Sequence, residues 1–188
     1  MTDALVIIDV QNAILDGAAA DERVADINGY FDAMVKRLSA LREKATDAKI
    51  PTILVQNDGP EGHRLAVGSD GWKIVPSLAP QENDIVVRKK VCDSFHETDL
   101  LDRLSVLGAT RLIIGGCMTQ YCVDTTVRHS VTLGFDVILL ADGHCTGDSD
   151  DLRQDQIIAH HNQTLNGFDA NDKSVVLMAI RDVEFSRE

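Results

Sequence analysis

Residues 111–142 read RLIIGGCMTQYCVDTTVRHSVTLGFDVILLAD, and the stretch carries two different periodicities. RLII and DVILL are unbroken aliphatic runs, the pattern of parallel strands covered on both faces rather than of half-exposed ones. Between them Val123, Val127 and Val131 recur at i, i+4 and i+8 over residues 119–133, and Gly134 closes that helix. Strand, helix and strand in this order make a crossover, the connection that parallel neighbours require.

The same unit continues in both directions. Residues 4–8 (ALVII), 52–55 (TILV), 84–87 (DIVV) and 174–178 (SVVLM) supply four more runs. Residues 21–49 carry Val24, Ile27, Phe31, Met34, Val35, Leu38 and Leu41 as one helical stripe, with Asp21 and Glu22 at its start and Lys44 and Lys49 at its end. Residues 98–107 form a second helix with Thr98 as N-cap, and residues 151–165 another that stops near Gly167. The expected fold class is α/β: one three-layer α/β/α domain over residues 1–188, built on an open, mainly parallel, six-stranded Rossmann-like sheet. Residues 57–80, with four glycines, are the one long irregular stretch, and loops of that length in a compact domain usually serve function.

The chain has 188 residues, with 30 acidic against 18 basic side chains and a net charge of −12. Phosphate binding needs Lys and Arg in excess, so nucleic acid is not an expected partner. Anionic membrane surfaces are disfavoured for the same reason. No apolar run approaches the roughly 20 residues that span a bilayer, and the first residues lack a basic leader, so a cytoplasmic protein is expected. Four cysteines in such a chain (Cys92, Cys117, Cys122 and Cys145) read as thiols.

In open parallel sheets ligands bind beyond the carboxyl ends of the strands. Asp9 ends the first run, Lys89 ends DIVVR, and Cys122 opens the helix after RLIIGG. These ends share one rim. A helix start and a nearby ammonium stabilise a thiolate, and a carboxylate can take the thiol proton and return it to a leaving group. Singly, Asp9 also reads as a cap, Lys89 as part of the solvated run Arg88-Lys89-Lys90, and Cys122 as a small core residue. Their joint placement fits nucleophilic acyl transfer.

The segments ALVIIDVQNAILDG, VRKKVCDSFHETDLLDRLSVLG and LIIGGCMTQYCVDTTVRHSVTLGFDVILLADGHCT, with WKIVPSL and IIAHHNQTL, resemble the isochorismatase-like cysteine hydrolases. That family includes nicotinamidases, N-carbamoylsarcosine amidohydrolases and isochorismatase. The resemblance implies an Asp–Lys–Cys triad at Asp9, Lys89 and Cys122. Lys89 stands six residues before Phe95, and Cys122 is the cysteine of Thr119-Gln120-Tyr121-Cys122-Val123. It also implies a non-proline cis peptide at Cys117–Met118, with the N–H groups of Met118 and Cys122 forming an oxyanion hole. Gln11, Trp72, Phe95, Thr119 and His144 are the expected contacts to a small-molecule substrate. Gln11 is alternatively a loop cap, Trp72 a core residue, and His144 incidental beside Asp148 and Ser149, which would cap the next helix.

The implied activity is hydrolysis of a C–N bond in a small amide or carbamoyl compound through a Cys122 thioester, without a cofactor. A nicotinamidase proper, a catalytically silent binding member and a thiol sensor using Cys117 and Cys122 are the alternatives. Metal-dependent nicotinamidases carry a D-x-H pair where this chain has Gln56-Asn57-Asp58-Gly59-Pro60-Glu61-Gly62-His63, so no metal is expected. His160 and His161 are adjacent on a helix, about 100° apart, and cannot chelate together. Cys92 and Cys117 read as structural thiols. Isochorismatase cleaves a vinyl ether and has no cysteine at the nucleophile position, so Cys122 favours amide chemistry. The resemblance also implies a homo-oligomer, dimer or tetramer.

Overall fold

The structure is a computed structural model, describing residues 1–186. Its sheet has seven strands in the order β3-β2-β1-β4-β5-β7-β6. They are β1 (Asp3–Ile8), β2 (Thr52–Asn57), β3 (Ile85–Lys89), β4 (Arg111–Cys117), β5 (Asp136–Cys145), β6 (Asp169–Ala170) and β7 (Lys173–Met178). All neighbours pair in parallel except β6, which runs antiparallel to β7. The expected sixth strand is therefore β7. The extra strand is a two-residue hairpin arm, too short to carry any periodicity.

Alternate strand residues feed two separate cores, which is why the runs are aliphatic throughout. Leu5, Ile7, Leu54, Ile113 and Ile138 pack beneath Met34, Leu38 and Leu41 of α1 (Val24–Asp47). Val6, Ile8, Val55, Ile114 and Leu139 face the other layer. There they meet Leu104 of α2 (Leu100–Val106), Val127 of α3 (Asp124–Thr132) and Leu165 of α4 (Gln154–Leu165). No helix among the described residues is long and apolar enough to cross a membrane.

Helix ends differ from the periodicity in physically legible ways. The first acidic residues form a separate 3-10 turn, Asp21–Arg23, ahead of α1. At the other end Lys49 takes φ 58° and the Ile50 N–H returns to the Ala45 carbonyl, closing α1 at Asp47. The helix expected over residues 119–133 opens with a π turn, Thr119–Val123, before α3 begins. Asp148 caps α4, accepting the Gln154 N–H at 2.7 Å.

Strand order reverses between β1 and β4, so a crevice forms beyond their carboxyl ends. Gly116 makes that junction possible. Its φ is 123°, and a Cβ there would lie 2.0 Å from the Ile8 carbonyl oxygen.

Candidate active site

Three chain segments deliver side chains to the crevice. Asp9 follows β1 with φ 51°, a left-handed conformation that Asp tolerates better than most residues. Its N–H is held by the Val55 carbonyl at 2.8 Å. Lys89 is the last residue of β3, beside Asn57 at the end of β2. Cys122 lies inside the π turn, where the Val123 N–H reaches back to the Met118 carbonyl. Such local widenings of a helix recur at functional sites because they re-aim one side chain.

The Lys89 ammonium joins the other two. Its Nζ lies 2.6 Å from Asp9 Oδ2 and 3.2 Å from Cys122 Sγ, and it donates to the Val91 carbonyl at 3.0 Å. Both charged side chains of the ion pair are fully buried. The Asp9 contact is an ion pair rather than an aligned hydrogen bond. Burial raises the Asp9 carboxyl above its ordinary range, opposed by the Lys89 charge. The Cys122 thiol is also pushed up, by burial and then by the Asp9 carboxylate. Burial pulls Lys89 down, but Asp9 and Cys122 more than offset it, so the ammonium is held charged. A neutral thiol thus sits beside a carboxylate of enhanced basicity, with a cation ready to hold charge on sulfur.

A cavity of about 210 Å³ opens above this group, lined among others by Asp9, Met118, Tyr121 and Cys122. The Cys117–Met118 peptide is cis. A larger hollow of about 410 Å³ lies at the opposite end of the sheet, against Pro51 and Leu107, away from these groups.

The other expected contacts lie elsewhere. Gln11 is fully buried, donates to the carbonyls of Asn57 (3.0 Å) and Trp72 (2.7 Å), and accepts the Asn57 N–H (2.9 Å). It clips the 57–80 loop to β1 and has no donor left for substrate. Gln11→Ala is expected to cost about 1–3 kcal/mol in chemical denaturation, because it leaves the part-buried N–H and carbonyl of Asn57 without this partner, while the Trp72 carbonyl keeps its bond from Gln56. A Gln11→Ala protein of native stability with a raised KM would mean a substrate contact instead.

Trp72 lines a separate hollow with Gln56 and Pro80; its indole donates to Asp58, and Arg88 stacks on its ring at 4.5 Å. Phe95 is a core residue, stacked on Phe135. Thr119 and His144 are buried and bonded to each other at 2.9 Å. His144 Nε2 meets Asn162 Oδ1 at 2.8 Å, while Asn162 donates to the Ala141 carbonyl. Asn162, next in sequence to His160 and His161, thus anchors His144, while His161 bonds the Ile157 carbonyl of its own helix. Asp58 and His63 do not meet: Asp58 holds Trp72 and Arg88, and His63 Nδ1 accepts the Leu65 N–H.

Burial pushes the His144 pKa down to about 4. A histidine depressed on folding stabilises the fold above its unfolded pKa near 6.5, and that contribution is lost as the pH falls towards 4. Between pH 7 and pH 4.5 the native protein is expected to lose about 2–3 kcal/mol from this residue alone. His144→Gln, compared by urea denaturation at both pH values, should lose less. Equal losses would contradict the assignment.

Cys92, a structural thiol by sequence, and Arg64 both border the cavity. Cys92 is exposed and lines it, unlike Cys117, which is fully buried beside Cys145. Arg64 comes from the irregular loop, where no periodicity points its side chain anywhere.

Comparison with known proteins agrees with this architecture. The Isochorismatase domain model matches residues 3–166. Streptothricin hydrolase from Streptomyces noursei is 33% identical over 145 residues, 77% of this chain and 50% of its own, so the match spans about half of that relative. Ureidoacrylate amidohydrolase from Methylobacterium radiotolerans is 28% identical over 171 residues, covering 75% of this chain and 66% of the relative. Among solved structures, an isochorismatase from Pseudomonas putida superposes with a TM-score of 0.83 at 25% identity, over 97% of this chain and 90% of that one. N-carbamoylsarcosine amidase from Thermoplasma acidophilum shares the fold, with a TM-score of 0.74 at 19% identity over 98% and 99% of the two chains.

Proposed function

The chain belongs to the isochorismatase family, and from that premise we propose that it is a cysteine hydrolase cleaving a C–N bond in a small amide or carbamoyl compound. The observation that carries this reading is the position of Lys89 Nζ, 2.6 Å from the Asp9 carboxylate and 3.2 Å from the Cys122 sulfur. The relatives named as an amidohydrolase and an amidase support the same bond class.

In this reading Asp9 removes the Cys122 proton as sulfur attacks the carbonyl carbon, forming the C–S bond. Lys89 offsets the negative charge passing between sulfur and carboxylate. The backbone N–H groups of Met118 and Cys122 receive the developing oxyanion. Asp9 then gives its proton to the departing nitrogen, the C–N bond breaks, and a thioester remains. Water attacks the thioester with Asp9 as base, releasing the acid and restoring the thiol. Burial acts on both partners: it raises the basicity of Asp9 and also keeps the Cys122 thiol protonated, so in this reading the proton leaves as sulfur attacks rather than beforehand. The cavity of about 210 Å³ is smaller than the roughly 300–1,000 Å³ typical of drug-sized ligands, which suits a small substrate.

A panel of small amides, ureas and N-carbamoyl compounds, assayed for ammonia or amine release, tests the reading. Turnover of a panel member by the native protein supports it. Vinyl ether cleavage in place of amide hydrolysis overturns it.

A further inference from the structure

We infer that the substrate carries a carboxylate and that Arg64 and Lys90 receive it. The inference rests on the hydrolase reading of this site and concerns what the site selects.

The argument begins with the three consecutive cations Arg88-Lys89-Lys90. Their fates differ. Arg88 turns away from the crevice, donating to Asp58 at 2.6 Å and lying over the Trp72 ring. Lys89 is committed to Asp9 and Cys122. Lys90 alone extends to the cavity wall, exposed to solvent. Arg64 joins it from the 57–80 loop, with one N–H held by the Asp16 backbone carbonyl.

Neither Arg64 nor Lys90 has a carboxylate partner among the described residues. That is notable in a chain with 30 acidic residues, most of whose arginines are paired. Among the described residues Asp9 is the one acidic residue on the cavity wall, and Lys89 neutralises it. The mouth is therefore locally cationic on a molecule of net charge −12. Opposite-sign groups at a cleft raise the encounter rate and select among ligands, and a guanidinium fork matches a carboxylate edge. The long-range field of the protein repels anions, so two uncompensated cations at the mouth serve recognition at short range.

The test uses two thiol reagents of near-equal size and opposite suitability: neutral iodoacetamide and anionic iodoacetate. Alkylation rates at Cys122 are read by peptide mapping, which separates Cys122 from Cys92. The quantity of interest is the iodoacetate to iodoacetamide rate ratio at Cys122. In the Arg64→Gln/Lys90→Gln double variant the ratio is expected to fall about tenfold, with the iodoacetamide rate nearly unchanged. Added salt should lower the native ratio towards that of the variant. A ratio that is the same in both proteins overturns the inference, even where Cys122 alkylates readily and the protein hydrolyses neutral amides. Failure of the hydrolase reading looks different: no turnover of any panel member, whatever the alkylation ratio.

Discussion

Cys122→Ala is expected to lower kcat/KM for an amide substrate by about 10³-fold or more while the protein stays folded. The sulfur is the only atom of the Asp9–Lys89–Cys122 group that can form a bond to a carbonyl carbon, since Lys89 is held as an ammonium and Asp9 is occupied as the base. Without it, what remains is positioning and oxyanion stabilisation, which no longer act on a covalent path. The side chain is small and only half-buried, at the margin of the core beneath α3, so its loss costs little stability. Cys145→Ala is the matched control, removing a thiol that bonds Gln154 and lies in the opposite core. Turnover of the Cys122→Ala protein within tenfold of native would contradict the proposed role. Circular dichroism and amine release, measured on the same samples, separate folding from chemistry.

The second large effect concerns stability. Lys89→Met is expected to destabilise the fold by about 3–5 kcal/mol, because it leaves the buried Asp9 carboxylate without its counter-charge. For a chain of this size that corresponds to a fall of roughly 6–20 °C in Tm. The damage is electrostatic rather than steric, since Met fills most of the same space. The double variant Asp9→Asn/Lys89→Met, which leaves neither charge of this pair, is therefore expected to recover most of the stability and none of the activity. A single variant as stable as the native protein, or a double variant less stable than the single, would contradict the buried pair as described. Thermal and urea denaturation at neutral pH suffice.

The two predictions bear on parts of the molecule that the sequence discloses unequally. Strands β1, β2, β4 and β5 are legible because both their faces are buried: Leu5 and Val6 are each fully covered, one in each core. β7 reads as an aliphatic run too, although Val176 is 49% exposed on it. Parallel order follows from the intervening helices everywhere except between β2 and β3, which an irregular crossover with one 3-10 turn joins, and it carries Asp9, Lys89 and Cys122 to one rim. Side-chain direction at that rim does not follow from periodicity. It is set by the positive φ of Asp9 and by the π turn around Cys122, and neither leaves a mark in the hydrophobic pattern. Thr119 and His144 accordingly turn into the protein and satisfy each other, although both stand at strand ends. Trp72 and Arg64 illustrate the same point in the loop. The aromatic residue, the obvious pocket wall by composition, is pinned outside the cavity by Asp58 and Arg88, and the arginine lines it. Gln11 takes its alternative role as a loop cap: proximity to Asp9 in sequence suggests substrate, but the backbone groups in the 57–80 loop claim its amide.

The central claim is that Cys122 becomes covalently acylated during turnover. The direct measurement is intact mass and peptide mapping of enzyme quenched in acid while hydrolysing a substrate from the amide panel. The account predicts a mass increase equal to the acyl portion of the substrate, located on the peptide containing Cys122 and removed by hydroxylamine. Sustained turnover with unmodified Cys122, or an acyl group found on Cys92 instead, would contradict it.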